Sequence, residues 1–284
     1  MRILITGATS MIGKALCQRL DTEEEIIAVV REKKKEAALG EKIELVYCDM
    51  VNYTNISKVL DKNIDAAILL AWQGTRGEGR NSEEIQKQNY LYNMQLIDEL
   101  IKLNVKKILI AGSQAEYGLI SGERKVDEIV EAYPNTAYGK YKLKLYLDAK
   151  KRCDGLGITL IETRIFSLYG PNDYENTMVM STLKKMVNNE ECNLTECTQL
   201  WNFLYIDDAI EAIIKLLLSD SKAGVYNLAS RDTRILKEFI IKMYNICQSK
   251  SKMNFGAIQY PKTGKVNLYP NIEKLKSTGW EEKV

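Results

Sequence analysis

From the first residue to about position 166, short uninterrupted apolar runs alternate with amphipathic stretches of helical period, and few folds accommodate that alternation. Arg2–Thr6 (RILIT), Glu25–Arg31 (EIIAVVR), Ile43–Cys48 (IELVYC), Asp65–Ala71 (DAAILLA), Lys107–Ala111 (KILIA) and Ile158–Phe166 (ITLIETRIF) have the length and composition of strands. Met11–Leu20, Ser82–Leu103 and Asn135–Lys151 read as helices between them. A strand that is apolar on both faces is covered on both faces, which implies a parallel sheet between two helical layers. The expected class is therefore α/β, with a doubly wound sheet. After Gly170-Pro171 the elements shorten. A helix is expected near Thr182–Val187, a strand near Phe203–Ile206 and a helix over Asp207–Leu218. A strand over Gly224–Leu228 and a helix over Leu236–Cys247 follow. The reading is a nucleotide-binding domain over 1–170 and a smaller lobe over 171–284, interleaved with the last strands of the sheet.

Composition removes several kinds of chemistry. The chain has 284 residues, enough to bury a large core without disulfides or metals. It contains no histidine, which excludes Ser-His-Asp and Cys-His catalysis, and its six cysteines show no CxxC spacing. No metal site is expected. Acid–base work at neutral pH falls to Tyr, Lys, Cys or carboxylates. A net charge of +2 gives no electrostatic case for nucleic acid. No apolar run approaches the ~18 residues of a membrane span, and the N-terminus lacks a signal-peptide core. A cytoplasmic protein is expected.

Thr6-Gly7-Ala8-Thr9-Ser10-Met11-Ile12-Gly13 lies between the first strand and the first helix, where a dinucleotide-binding fold places its phosphate loop. Gly7 suits the tight turn and Gly13 suits close helix–strand packing, while the helix N-terminus offers N–H groups to a pyrophosphate. A glycine pair by itself marks only a turn; its place directly after an apolar strand gives it meaning. Arg31 ends the second strand, where a protein selective for NAD carries an acid for the ribose 2′-hydroxyl. A guanidinium there can fork onto a 2′-phosphate, so NADP is favoured over NAD.

Tyr138 and Lys142 are spaced i, i+4 and share a helix face. A tyrosine of pKa about 10 is a poor base at pH 7, and a nearby ammonium favours its phenolate. Ser113 follows the strand Lys107–Ala111, at the strand end where ligands bind. It can equally cap a short helix over 114–117.

With these residues in place, the chain resembles the extended short-chain dehydrogenase/reductase family, the NAD-dependent epimerase/dehydratase group. TGATSMIG resembles its TGxxGxxG loop, so that Gly7, Thr9, Ser10, Met11, Ile12 and Gly13 are implied to hold the cofactor. Cys48-Asp49-Met50 resembles the adenine-binding segment, and Leu70-Ala71-Trp72 the small-residue turn beside the cofactor. Asn89 resembles the helix asparagine that follows. Gly112-Ser113-Gln114-Ala115-Glu116-Tyr117-Gly118 resembles the catalytic-serine segment, and Tyr138 to Lys142 its YxxxK. Arg164 to Pro171, Trp201 to Asp208 and Gly224 to Leu228 resemble the later strands in order. Ala111 and Ile165, at strand ends, complete the implied cofactor set.

The departures are specific. Ser10 replaces the middle glycine of the loop. Gln114 and Ala115 stand where nucleotide-sugar 4,6-dehydratases carry an acidic pair. Trp201 and Asn202 replace the Arg and Asp that open a nucleotide-recognition segment. The resemblance implies a seven-stranded, mainly parallel Rossmann sheet with a small C-terminal substrate lobe. It also implies a nucleotide-sugar substrate and catalysis through Ser113, Tyr138 and Lys142. Short length, Arg31 and the missing acids resemble small 4-ketosugar reductases that act on nucleotide-linked 4-keto-6-deoxyhexoses. The alternatives are a 4-epimerase that retains NAD and a non-catalytic NADP sensor. A homodimer through the helices Ser82–Leu103 and Asn135–Lys151 is a further implication.

Overall fold

In the computed structural model, residues 21–22, 32–38, 41, 61–62, 121–123 and 261–264 are not described; everything below concerns the others. Strands β1 (Arg2–Thr6), β2 (Glu25–Val30), β3 (Glu44–Tyr47), β4 (Ala66–Leu69), β5 (Lys107–Ser113) and β6 (Thr159–Ile165) join a later strand in one seven-stranded sheet. Helices α1 (Met11–Leu20), α2 (Glu83–Lys102) and α3 (Ala137–Cys153) connect them. The order is β10-β6-β5-β4-β1-β2-β3, where β10 is Gly224–Leu228, and every pairing is parallel.

The continuous apolar runs are explained by burial on both faces. Ile3 and Ile5 point to one core, whose helical cover includes Leu16 of α1 and Ile213 of α5 (Ile206–Leu218). Leu4 between them points to the opposite core, with Leu96 and Leu100 of α2 and Leu145 of α3. Ser82 caps α2 by accepting from Ile85 N, and Thr136 caps α3 by accepting from Gly139 N at 3.1 Å.

The chain builds outward from β1 to β3, then returns to β4 on the other side of β1. The carboxyl ends of β1 and β4 therefore flank the point where strand order reverses, the usual ligand crevice of such sheets. The Thr6 hydroxyl ties these ends together by accepting from Leu70 N and Ala71 N, each at 3.2 Å.

Beyond Gly170 the elements are shorter. Strand β7 (Ser167–Tyr169) pairs with β9 (Leu200–Tyr205), which pairs with β11 (Thr233–Ile235). Strand β8 (Cys192–Leu194) pairs with β12 (Met253–Phe255). Helices α4 (Met178–Val187) and α6 (Leu236–Ile246) close a small core around Met186, Cys192, Leu194 and Ile240, and α7 (Glu273–Lys276) follows. Helix α4 begins at Met178, earlier than its pattern suggested, because the Thr177 hydroxyl caps it by accepting from Met180 N. The apolar Met178-Val179-Met180 carries no helical period of its own. Among the described residues no helix is long and apolar enough to cross a membrane.

Candidate active site

The loop after β1 is built by exclusion of side chains. Gly7 has φ +66°, and a Cβ there would lie 2.9 Å from Ala71 N. A Cβ on Gly13 would lie 2.4 Å from Gly7 O, so α1 approaches β1 only because that atom is missing. Ser10, the departure from glycine, turns its hydroxyl back to accept from Gly13 N at 3.1 Å. It thus acts as an N-cap of α1. Met11 and Ile12, at the start of α1, pack their side chains partly into the core.

Beside this loop is a cavity of about 220 Å³. Gly7 and Thr9 line one side, Val30 and Arg31 the end of β2, Met50 the next connection, and Ala71 and Trp72 the end of β4. Arg31 is 55% exposed, with its Nε 4.0 Å from Asp49 Oδ2. Asp49 also caps the 3-10 turn Met50–Lys58 by accepting from Val51 N. Asn89 does not reach the cavity. Its amide accepts from Gln73 N at 2.9 Å and donates to Gln73 O at 2.8 Å, so it fixes the turn that carries Trp72.

The candidate catalytic groups Ser113, Tyr138 and Lys142 lie past Trp72. Ser113 is the last residue of β5, and its hydroxyl makes two contacts within the protein. It caps the short turn Gln114–Glu116 by accepting from Ala115 N at 3.2 Å, and it hydrogen-bonds the phenol of Tyr138. The Tyr138 ring meets Trp72 edge-on at 6.3 Å. Lys142 is 4% exposed; its ammonium donates to Ala111 O at 2.6 Å and sits 3.9 Å from the Trp72 ring centroid. Ile165, at the end of β6, is in register with Ser113.

Electrostatics here differ from the sequence expectation. Lys142 was expected to hold the Tyr138 pKa down. Instead burial pushes the phenol up, opposed by the Ser113 hydrogen bond and then by the charge of Arg80. The reason is geometric: the Lys142 ammonium is engaged by Ala111 and Trp72 and lies 5.9 Å from the Tyr138 ring. Burial also lowers Lys142 itself to about 8, against the pull of Glu116 and Glu162.

Sequence reasoning missed the charged layer beneath the site. Glu116 and Glu162 are both fully buried. Glu116 accepts from Ser113 N at 2.6 Å and meets Arg164 Nε at 3.1 Å. Glu162 meets the same Nε at 3.3 Å. Burial, then the neighbouring Glu116, pushes Glu162 well above the carboxylate range. The available signal was the pair of charged residues, Glu162 and Arg164, within one strand of the sheet. Asn202, a departure in the segment that resembles a nucleotide-recognition motif, bonds within the protein, exchanging hydrogen bonds with Ser230 N and O at 2.9 and 2.8 Å and donating to Thr233 Oγ1 at 3.0 Å.

Comparison with known sequences now decides the family. Residues 3–229 match the profile of the NAD-dependent epimerase/dehydratase family. The chain belongs to that family. It is accordingly an oxidoreductase-type enzyme. Among family relatives, it is 26% identical to CDP-abequose synthase of Salmonella muenchen, covering 98% of this chain and 92% of the relative. The fold is shared with UDP-glucose 4-epimerase of Thermotoga maritima, TM-score 0.88 at 19% identity, covering 100% of this chain and 94% of that one. It is likewise shared with UDP-N-acetylglucosamine 4-epimerase of Methanobrevibacter ruminantium, TM-score 0.89 at 18% identity, covering 99% and 93%.

The residues present fit the dinucleotide that the family uses. The loop has no Cβ at Gly7 or Gly13, where one would clash with backbone. The adjoining cavity ends at a guanidinium, and a buried ammonium stands beyond Trp72.

Proposed function

We propose that the chain is an NADP-dependent reductase of a nucleotide-linked 4-keto-6-deoxyhexose, delivering its product as the C4 alcohol. The observation that carries this reading is the state of the turn after Ser113. Dehydration of a sugar needs a free acid and base beside the reacting carbon. Gln114 and Ala115 provide neither. The one carboxylate in that turn, Glu116, is buried and held by Ser113 N and Arg164. What remains is a site for hydride and proton transfer alone.

A dihydronicotinamide, when bound, would supply the hydride. The protein supplies the rest. Gly7 to Gly13 and the N-terminus of α1 receive the pyrophosphate, and Arg31 receives the adenosine 2′-phosphate, a charge-assisted bond that NAD cannot make. Lys142 holds the nicotinamide ribose. Ser113 orients the ketone oxygen, and Tyr138 gives its proton to that oxygen as charge develops on it. Elements after Gly170 hold the nucleotide sugar. Similarity over nearly the whole chain to a synthase of a CDP-linked product supports a substrate of this class. The outward face of α2 and α3, where Leu91 and Leu147 are exposed, is the dimer face.

The test is NADPH oxidation with a 4-keto-6-deoxy nucleotide sugar in wild type and in Tyr138→Phe. Loss of a general acid typically costs about 10²–10⁴-fold in turnover. Cofactor affinity should be retained. Equal rates in the two proteins would remove Tyr138 from the chemistry.

A further inference from the structure

The segment after β4 carries a cation that the reaction described above does not use. Arg80 lies in a 3-10 turn, Gly77–Asn81, and its guanidinium carbon stands 4.3 Å from the centroid of the Tyr138 ring. Its Nη1 donates to Thr75 O at 2.9 Å. Burial pulls its pKa down, and among the described residues no carboxylate lies within ion-pair distance of it. Arg80 is half-buried, and a partly desolvated guanidinium with no acid beside it is stabilised by any negative charge that forms within reach. The group against it that can take up a negative charge is the Tyr138 phenol.

The position is built, not accidental. Gln86 of α2 is fully buried and donates through Nε2 to Gly74 O at 2.8 Å and Gly79 O at 2.7 Å, while accepting from Trp72 Nε1 at 2.7 Å. Asn89, one turn on, holds Gln73. Two amides on one helix thus shape the turn that aims Arg80 at Tyr138. Arg76 anchors the same segment to the later lobe through Asp173, at 3.5 Å.

We propose that Arg80 is the principal cationic partner of Tyr138, stabilising the phenolate left behind when the phenol proton passes to the substrate oxygen. In that step the Tyr138 O–H bond breaks, the proton joins the substrate alkoxide, and the remaining charge faces Arg80 until solvent restores the proton. The groups facing Tyr138 from each side are Ser113 and Glu116 from the end of β5, Arg76 and Arg80 from the segment after β4, and Lys142 from its own helix. Of these, Arg80 is the cation closest to the ring, and Lys142 is engaged elsewhere. Arg80 therefore acts through Tyr138 as a positioning and charge-balancing residue. The inference rests on Tyr138 being the proton donor.

The experiment is a substrate-free titration of tyrosine Cζ by carbon-13 NMR, with the Tyr138 signal assigned by its absence in Tyr138→Phe. Arg80→Gln keeps a donor for Thr75 and removes the charge; its Tyr138 should titrate about one to three pH units higher than wild type. Arg80→Lys should restore most of that shift. In turnover, the alkaline limb of the reduction profile should move up by the same amount in Arg80→Gln. Superimposable Tyr138 titrations in wild type and Arg80→Gln would overturn the proposal. A raised KM with an unmoved titration would overturn it too, by making Arg80 a receptor for a substrate anion. The titration uses no substrate, so its failure leaves the reductase reading intact, and failure of the reductase assay leaves the titration valid.

Discussion

The ammonium of Lys142 donates to the carbonyl of Ala111 at 2.6 Å, so this lysine is anchored to the end of β5 and not to Tyr138, one turn earlier on its own helix. Its cation is held in a low-dielectric setting that it opposes. Burial lowers its pKa from 10.5 to about 8, so the folded protein binds fewer protons than the unfolded chain between those values. The associated stability is present above the unfolded pKa and is lost as pH falls through about 8. At pH 7 the wild type therefore bears the full cost. Lys142→Met should be more stable than wild type at pH 7, by up to about 3 kcal/mol. It should also lose most turnover. Thermal unfolding at pH 7 and pH 10 checks this, with the advantage of the variant shrinking at the higher pH.

The proposed preference for NADP rests on Arg31. Its guanidinium lines the cavity and is close enough to Asp49 to be oriented by it. Arg31→Ala should weaken NADPH binding by about 1.5–3 kcal/mol, the worth of a charged hydrogen bond, and barely change NADH binding. Fluorescence titration of each reduced cofactor measures the difference. Equal losses would make Arg31 a surface charge.

The loop tolerates Ser10 but should not tolerate a methyl at Gly13. Ser10 adds a side chain that points away into a capping bond. A Cβ at Gly13 has no such exit, since Gly7 O and Ala8 Cα lie 2.4 and 2.6 Å away. Gly13→Ala should cost about 1–3 kcal/mol of stability through overpacking and widen the β1–α1 turn. Ser10→Gly should cost far less, because glycine is nearly as good a cap. Dinucleotide binding and thermal unfolding of the two variants separate them.

The buried carboxyl pair gives a prediction with opposite signs for its two members. Glu116 carries the capping box and the shorter contact to Arg164, so Glu116→Ala should destabilise by about 3–5 kcal/mol. Glu162 has its pKa raised, and the folded state therefore holds a proton that the unfolded chain releases above its own carboxylate pKa. Its stability contribution is complete below the unfolded value and declines as pH rises toward the folded value. Glu162→Gln should match wild type near pH 4.5 and be the more stable protein at pH 8. Denaturant melts at the two pH values test it.

Much of this architecture is legible in the order of residues. Apolar runs covered on both faces announce a parallel sheet, and the reading of Gly7 and Gly13 needs only their place between β1 and α1. The i, i+4 spacing places Tyr138 and Lys142 on one helix face, and both are buried residues of α3. What could not be read depends on contacts between distant segments. Arg80 reaches Tyr138 only because Gln86 and Asn89 fold the intervening turn over α3. Glu116 and Glu162 meet Arg164 only through the register of β5 and β6, in which Ile110 faces Glu162 and Gly112 faces Arg164. Gly112 has a further reason that its sequence context hides: a Cβ there would lie 2.8 Å from Glu116 Oε1 and from Glu162 Cγ, so the glycine makes room for the carboxyl pair.

The central claim is net reduction, and one measurement addresses it most directly. A reductase exchanges its cofactor at every turnover, whereas a 4-epimerase regenerates bound NAD within each cycle. The protein is therefore expected to purify largely without nucleotide. Absorbance at the reduced-nicotinamide band is followed while purified protein, NADPH and a 4-keto-6-deoxy nucleotide sugar react. The account predicts loss of one NADPH per sugar reduced, with NADH a weaker donor. Interconversion of two 4-epimers without net NADPH loss, in a protein that carries NAD through purification, would contradict it.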